Sequence, residues 1–182
     1  MIDFSIIVPC RDEDGNVEII LNNIQKNCIY QSYEIIFIDD YSQDHTLNKI
    51  KEFSTKHQNI FYYINKKKGL GGAISLGLKK AQGKYITIMM ADSADSIDDL
   101  NSYFKIIQEN EFDAIFGSRF IHGSEIIDYP KFKLFLNRIF NYITKILFFS
   151  DYNDFTNSFK IYKKEVIDKI HPIVSENFNI FL

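Results

Sequence analysis

The run YITIMMADSADSIDDL, residues 85 to 100, passes from apolar side chains to four carboxylates, Asp92, Asp95, Asp98 and Asp99. Asp98 and Asp99 suit the first turn of a helix capped by Ser96 or Asp95, where acids meet the positive end of the dipole. Asp92 stands where a strand should end, and that carboxyl edge is where open α/β sheets collect their ligands. The other segments that follow apolar runs read VPCRDED, IDDYSQDHT, NKKKGLGGAISLG and GSRF. Acidic, basic and glycine-rich exits facing one crevice suit a ligand that carries both hydrogen-bond donors and phosphates. Adjacent Asp39 and Asp40 behind a buried strand are costly unless solvated, hydrogen-bonded or set against a ligand donor, and a nucleobase imide or amide N–H is such a donor. Gly69, Gly71 and Gly72 let the backbone approach a ligand, and a helix beginning there offers free N–H groups to an anion. This glycine run is neither the dinucleotide fingerprint, which needs glycine where Ile74 stands, nor a Walker A loop, because no glycine-lysine-Ser/Thr triplet follows.

Such exits need a sheet behind them. FSIIVP (4 to 9), YEIIFID (33 to 39), IFYYI (60 to 64), KYITIMM (84 to 90) and FDAIFG (112 to 117) are short β-branched and aromatic runs of the kind required by strands buried on both faces. Between them, Val17, Ile20, Leu21 and Ile24, then Leu47, Ile50 and Phe53, recur at helical spacing. Alternating strands and crossover helices predict a single α/β domain with a mainly parallel, Rossmann-like sheet and helices on both faces. A chain of 182 residues, 46% apolar and 25% charged, is of ordinary globular composition. The net charge of -3 gives no reason to expect a nucleic acid partner. Cys10 and Cys28 lack ligand or CxxC spacing and read as buried thiols of a reducing compartment. His45, His57, His122 and His171 have no ligand spacing. The N-terminus lacks a basic leader and no uncharged apolar run reaches 18 residues, so the expectation is a cytoplasmic protein with no spanning helix.

Taken in order, SIIVPCRDEDGNV, IIFIDDYSQDHT, GLGGAISLGLKKAQGKYITIMMAD, FGSRF and DFTNSFKIYKKEV resemble the successive motifs of the family 2 glycosyltransferases of GT-A fold, and among them the polyprenyl-phosphate (dolichol-phosphate) hexosyltransferases. The resemblance implies one GT-A domain over 1–182, with a nucleotide-sugar-binding half at 1–120 and an acceptor-side half at 121–182. It implies transfer of a sugar from a nucleotide-diphosphate sugar with inversion, most readily to a polyprenyl phosphate. By the same resemblance Pro9, Arg11 and Glu13 line the nucleotide pocket, Asp39 meets the base with Asp40 beside it, and Gly69, Gly71 and Gly72 lie along the nucleotide. Asp92 matches the second acid of the family's D-x-D, which helps hold Mg²⁺ or Mn²⁺ against the diphosphate, and Arg119 matches the basic residue of the later G-S/T-R segment. Met90 stands where the first acid of D-x-D belongs, which leaves Asp92 with Asp95 as a substitute ligand. The chain ends at NFNIFL, where the family normally continues, so an incomplete C-terminus is expected.

The acceptor decides which side chains the reaction needs. A sugar hydroxyl has to lose a proton, for which Asp154 is the candidate base. A phosphate monoester arrives ionised and needs cations to hold it, for which Arg119, Arg138 and Lys160 are the candidates. The segment 131 to 149 reads as one helix with Lys131, Arg138 and Lys145 as a basic stripe beside Phe135, Leu136, Ile139, Phe140, Ile143, Ile146 and Leu147. Two readings of it stay open: a core helix packed on the sheet, or an interfacial helix that sets the protein peripherally on the inner face of a membrane. The rival functions are a glycosyltransferase acting on a sugar hydroxyl of a glycan, and a non-catalytic nucleotide-sugar binder or membrane scaffold. The sequence leaves the oligomeric state open.

Overall fold

The computed structural model describes residues 2–66, 68–121, 124 and 130–170. Six strands form one sheet in the order β3-β2-β1-β4-β6-β5. They are β1 Phe4–Cys10, β2 Tyr33–Asp39, β3 Ile60–Ile64, β4 Tyr85–Ile88, β5 Ala114–Phe116 and β6 Lys160–Lys163. The helices are α1 Asp14–Asn27, α2 Thr46–Lys56, α3 Leu70–Lys80, α4 Ile97–Glu109, α5 Lys131–Leu147 and α6 Lys164–Ile170. β1 pairs in parallel with β2 and β4, and β2 with β3. The sheet therefore grows in both directions from β1, which creates a crevice beyond the carboxyl ends of β1 and β4.

The strands buried on both faces are the central ones. Every residue of β1 and β4 is buried, and one core joins Ile6, Val8, Phe37 and Phe104 to Val17, Ile20 and Ile24 of α1. On the opposite face Ile7, Ile36, Ile86 and Ile88 pack against Ala73, Ile74 and Leu78 of α3 and Ile167 of α6. Gly77 lets α3 lie this close, since a Cβ there would run into Ile7 Cγ2. At the opposite, N-terminal edge, buried Glu34 accepts from Ser5 Oγ at 2.6 Å and from the Gln82 N–H at 2.7 Å, which fixes the turn into β4.

Two sequence expectations change and one strand is added. The 112–117 run shortens to a half-exposed edge strand, β5, that is antiparallel to β6. The KIYK strand β6, for which the pattern gave no warning, inserts antiparallel between β4 and β5. It is contributed by the 121–182 portion, so both halves of the chain share one sheet. The core-helix reading of α5 fails: in this 17-residue helix the only buried residue is Asn141. Cys10 and Cys28 are both free thiols, the first buried and the second half-buried. His122 and His171 lie outside the described residues.

Candidate active site

At the exit of β1, residues 11 to 16 are laced to the exit of β2. The Asp12 N–H donates to Ser42 Oγ at 3.1 Å, and the Asp12 carboxylate accepts from the Gln43 N–H at 2.6 Å. The Glu13 N–H donates to Thr46 Oγ1 at 2.8 Å while its carboxylate accepts from Asn16 Nδ2 at 2.6 Å. Asp44 accepts from the N–H groups of Asp14 and Thr46, at 3.1 and 2.9 Å, and so caps two helices at once. Pro9 is buried in β1 opposite Ile38, and Arg11 is exposed at the rim. Of the expected β1 residues, Arg11 presents a charge to solvent at the crevice, and Glu13 is half-buried beside it.

The two acids at the end of β2 have different tasks. Asp40, 5% exposed, accepts from Asn65 Nδ2 at 2.7 Å and from the Gly69 N–H at 3.0 and 3.1 Å, which ties the β3–α3 connection to β2. Asp39 is 3% exposed and its Oδ1 has no hydrogen-bond partner. A buried carboxylate oxygen without a donor carries a desolvation cost that a ligand N–H would relieve. Gly69 holds φ 132°, a conformation open to glycine, and precedes α3, so Gly71 and Gly72 form the first helical turn and present its N-terminus.

After β4 the chain turns through Asp92 and Ser93. Asp92 is exposed and its Oδ1 accepts from the Ala94 N–H at 3.1 Å. Asp95 accepts from the Met90 N–H at 3.0 Å. Burial pushes the Asp95 carboxyl up to about 6; the Met90 N–H and Arg119 pull against this, while Asp92 and Asp99 add to it. Ser96 caps α4 by accepting from the Asp99 N–H at 3.3 Å, with Asp98 and Asp99 in the first turn, as the sequence indicated. Non-glycine residues with left-handed φ among those described are Asp12, Tyr41, Ser93 and Phe149. Three of them lie at the exits of β1, β2 and β4, where such strain is typical of ligand-binding turns.

The β5 exit and the segment before β6 form one unit. Arg119 binds Asp154 in a fork, Nε to Oδ2 at 2.8 Å and Nη2 to Oδ1 at 2.7 Å, and its backbone N–H adds a third bond at 2.9 Å. Nη2 also donates to Thr156 Oγ1 at 2.8 Å. With both oxygens occupied and 0% exposure, Asp154 clamps the guanidinium and is not placed as a free base. Lys160 likewise differs from expectation. It is 3% exposed, its Nζ approaches the Phe155 carbonyl at 3.4 Å, and the rings of Phe116 and Tyr152 lie 5.1 and 6.0 Å away. Burial lowers its pKa, with Asp154 opposing the shift. The ammonium is therefore enclosed by aromatic rings and a carbonyl. Arg138 stacks over Phe120 at 4.5 Å, and Arg119 lies 5.5 Å from the same ring.

The structure thus brings Asp92, Asp95, Arg119 and Asp154 into one electrostatic neighbourhood, and Asp39, Asp40 and Gly69 into another along the same sheet edge. Tyr103 senses the first: burial, followed by Asp99, Asp95 and Asp154, pushes its hydroxyl up to about 12. Asn65, Thr156 and Tyr103 went unnoticed in the sequence. Asn65 directly follows β3 and Thr156 lies two residues after Asp154, and those positions were the available signals.

Among the described residues no group of three or more His, Cys, Asp or Glu is assembled to hold a metal ion. Asp92 and Asp95 are the two carboxylates available, and a hard cation carried in by phosphates needs no more than one or two. The donor set fits a metal bound together with a diphosphate and does not form a preassembled cage.

The sequence profile described as glycosyl transferase family 2 matches residues 5–171. The chain belongs to that family. A dolichol-phosphate mannosyltransferase of Pyrococcus furiosus is 28% identical over 173 residues, covering 93% of this chain and 49% of the relative. A dolichyl-phosphate beta-glucosyltransferase of Dictyostelium discoideum is 29% identical over 187 residues, covering 92% and 56%. This family 2 chain therefore spans about half the length of these curated relatives. The solved mannosyltransferase PcManGT of Pyrobaculum calidifontis, in complex with GDP-Man and Mn²⁺, superposes with a TM-score of 0.63 at 17% identity, covering 92% of this chain and 46% of that one. The sheet is that of a GT-A glycosyltransferase fold.

Proposed function

We propose that this chain supplies the donor-binding and catalytic portion of an enzyme that transfers a sugar, with inversion, from a nucleoside-diphosphate sugar to a polyprenyl phosphate. In this reading residues 1–120 serve the donor and 121–182 the acceptor. The observation that carries the acceptor class is the Asp154–Arg119 fork. The carboxylate that would have served as base is spent on orienting a guanidinium, and an acceptor that arrives ionised needs an oriented cation and no base. The names of the two curated relatives point the same way.

At the donor end, Asp39 accepts an N–H of the base, while Arg11 and the first turn of α3 face the diphosphate. Asp92 and Asp95 would hold Mg²⁺ or Mn²⁺, which when bound supplies positive charge to the departing diphosphate. Arg119, held by Asp154 and Thr156, fixes the nucleophilic phosphate so that the transfer geometry is set before reaction. In this reading α5 lies against lipid. It bears no acidic residue, and Phe132, Phe135, Tyr142 and Leu147 are 74%, 61%, 66% and 68% exposed. No described helix is long and apolar enough to cross a membrane, so α5 would lie along the surface.

A sugar-hydroxyl acceptor retains one favourable observation: the Asp95 carboxyl, raised to about 6, is tuned as a general base would be. The experiment compares transfer from nucleotide sugars to short polyprenyl phosphates and to free glycans, with divalent metal, for the wild type, Arg119→Lys and Asp95→Asn. We expect transfer to the phosphate, a loss of about 10²-fold in Arg119→Lys and a smaller one in Asp95→Asn. Transfer to glycans alone, with Asp95→Asn down by about 10²–10⁴-fold, would establish the hydroxyl reading. Nucleotide binding with no turnover on either acceptor would establish a binding protein.

A further inference from the structure

Beneath the basic stripe of α5 lies a cavity of about 400 Å³, lined by Arg138, Asn141, Tyr142 and Lys145 of the helix and by Asn153. No carboxylate is among the lining residues, and neither Arg138 nor Lys145 forms an ion pair among the described residues. Two cations without ion pairs, seven residues or about two helical turns apart on one face, raise the local potential for an anion. Arg138 is held by stacking on Phe120 at 4.5 Å, which leaves the guanidinium edge, with its paired donors, for oxygens.

Asn141 adds a separate requirement. It is 2% exposed, and its Nδ2 donates to the Asn137 carbonyl at 2.9 Å, to Asn137 Oδ1 at 3.0 Å and to Thr156 Oγ1 at 3.2 Å. Those bonds fix the orientation of the amide and leave its Oδ1 as a buried acceptor without a partner. Phosphate oxygens cannot serve it, because an acceptor needs a donor; a hydroxyl can. Asn153 is itself anchored, accepting from Ser118 Oγ at 2.5 Å and donating to the Phe120 carbonyl at 3.3 Å, so the far wall is fixed.

We infer that this cavity binds a phosphate ester that also carries hydroxyl groups, a polyol or sugar phosphate, with the phosphate between Arg138 and Lys145 and a hydroxyl donated toward Asn141. The walls alone dictate this chemistry, so it stands independently of the transfer reaction. The ligand has two sources, a free phosphorylated polyol or the headgroup of a lipid reached along α5. Thr156 is shared with Arg119, so an occupied cavity bears on the arginine fork through one hydroxyl.

The test is calorimetric titration of the full chain with glycerol 3-phosphate, inorganic phosphate and glycerol, beside co-sedimentation with vesicles of phosphatidylglycerol or of phosphatidylcholine alone. Variants are Arg138→Gln and Lys145→Gln, with Lys79→Gln on α3 as the charge control and circular dichroism as the check on folding. Saturable binding of glycerol 3-phosphate, at least fivefold tighter than inorganic phosphate, weakened tenfold or more in the two α5 variants and unchanged in the control, is expected. Lys145-dependent sedimentation with phosphatidylglycerol that glycerol 3-phosphate competes away supports a lipid headgroup. Vesicle binding indifferent to Lys145→Gln, with soluble binding intact, supports a free metabolite. Equal affinity for inorganic phosphate and glycerol 3-phosphate would remove the polyol, and an equal loss in all three variants, or no saturable binding of any compound, would overturn the site.

Discussion

Around Asp40, a carboxylate, an amide and a backbone N–H close on one another within 3.1 Å, and the turn they hold is built into the sheet edge. On α5 the pattern is reversed: Asn141 alone is buried, and Phe132, Phe135, Phe140 and Ile143 face outward at 74%, 61%, 49% and 51% exposure. The first region spends its side chains on its own geometry and leaves one oxygen, on Asp39, for a ligand. The second spends few on the fold and presents most of them outward. A donor that is always the same kind of molecule rewards a preformed edge. If α5 meets lipid, as proposed, that surface rewards apolar exposure that a core would never retain.

The connection between the two regions is the Arg119–Asp154 pair, and breaking it should give the largest effect. Arg119→Ala leaves a fully buried carboxylate without its cation, at a cost of about 3–5 kcal/mol in urea unfolding. Replacing both by leucine should cost less than that single change, since no charge is then stranded. A double variant as damaged as the two single losses added together would show that the pair does not act as a unit.

Next comes a change that should touch ligand and leave the fold alone. Asp39→Ala should weaken nucleoside diphosphate binding by about 1.5–3 kcal/mol in calorimetry, the range for hydrogen bonds to a charged group. Its thermal stability should hold or rise, because the oxygen removed has no partner in the free protein. A drop in stability with unchanged affinity would place Asp39 with Asp40, as part of the frame.

The legibility of the two regions differs for a physical reason. β2 lies at the residues that its apolar run marks, 33–39, because a strand buried on both faces must be near-continuously apolar, and the edge strand β3, with only Ile60 buried, lies at its marked residues 60–64 as well. β6 escaped notice because KIYK is four residues long and its lysines read as surface, whereas Lys160 is enclosed by aromatic rings that come from β5 and from Tyr152. The candidate acids were legible as a set but not as individuals. Sequence order places Asp39 and Asp40 together, and only the position of Gly69 tells which of them is consumed by the backbone. The helical period of α5 was plain, yet periodicity alone does not say whether an apolar stripe meets a sheet or a lipid.

Asp95 offers a test with a sign. Its carboxyl ionises near 3.8 when unfolded and about 6 when folded, so between those values the folded state holds the proton more tightly. Stability contributed by this group falls as pH rises through that window and stays low above it. Asp95→Asn removes the cost and keeps an acceptor for the Met90 N–H. In metal-free buffer it should gain about 1–3 kcal/mol over wild type at pH 8 and much less at pH 4. An equal difference at both values would show that the carboxyl titrates as a solvated one does.

The smallest expected effect on stability lies at the end of α5, and its sign is opposite to the usual one. Phe149 follows the helix with φ 49°, donates its N–H to the Ile146 carbonyl at 3.3 Å, and is 98% exposed. Glycine is the common residue at such a position, since a Cβ is disfavoured in the left-handed region and the helix end needs the bend. A phenylalanine that touches almost nothing there costs backbone energy and gains no packing. Phe149→Gly should therefore raise stability by about 0.5–1 kcal/mol, the relief of the left-handed penalty less the extra entropy of glycine in the unfolded chain. If α5 rests on lipid, the same change should lower partition onto vesicles, because a ring at the helix end that is lost from the interface takes its buried apolar area with it. Gained stability with lost partition would mean the aromatic is retained for the surface it meets. Gained stability with unchanged partition would separate this end of α5 from the membrane and leave the contact to Phe132 and Phe135 at the other.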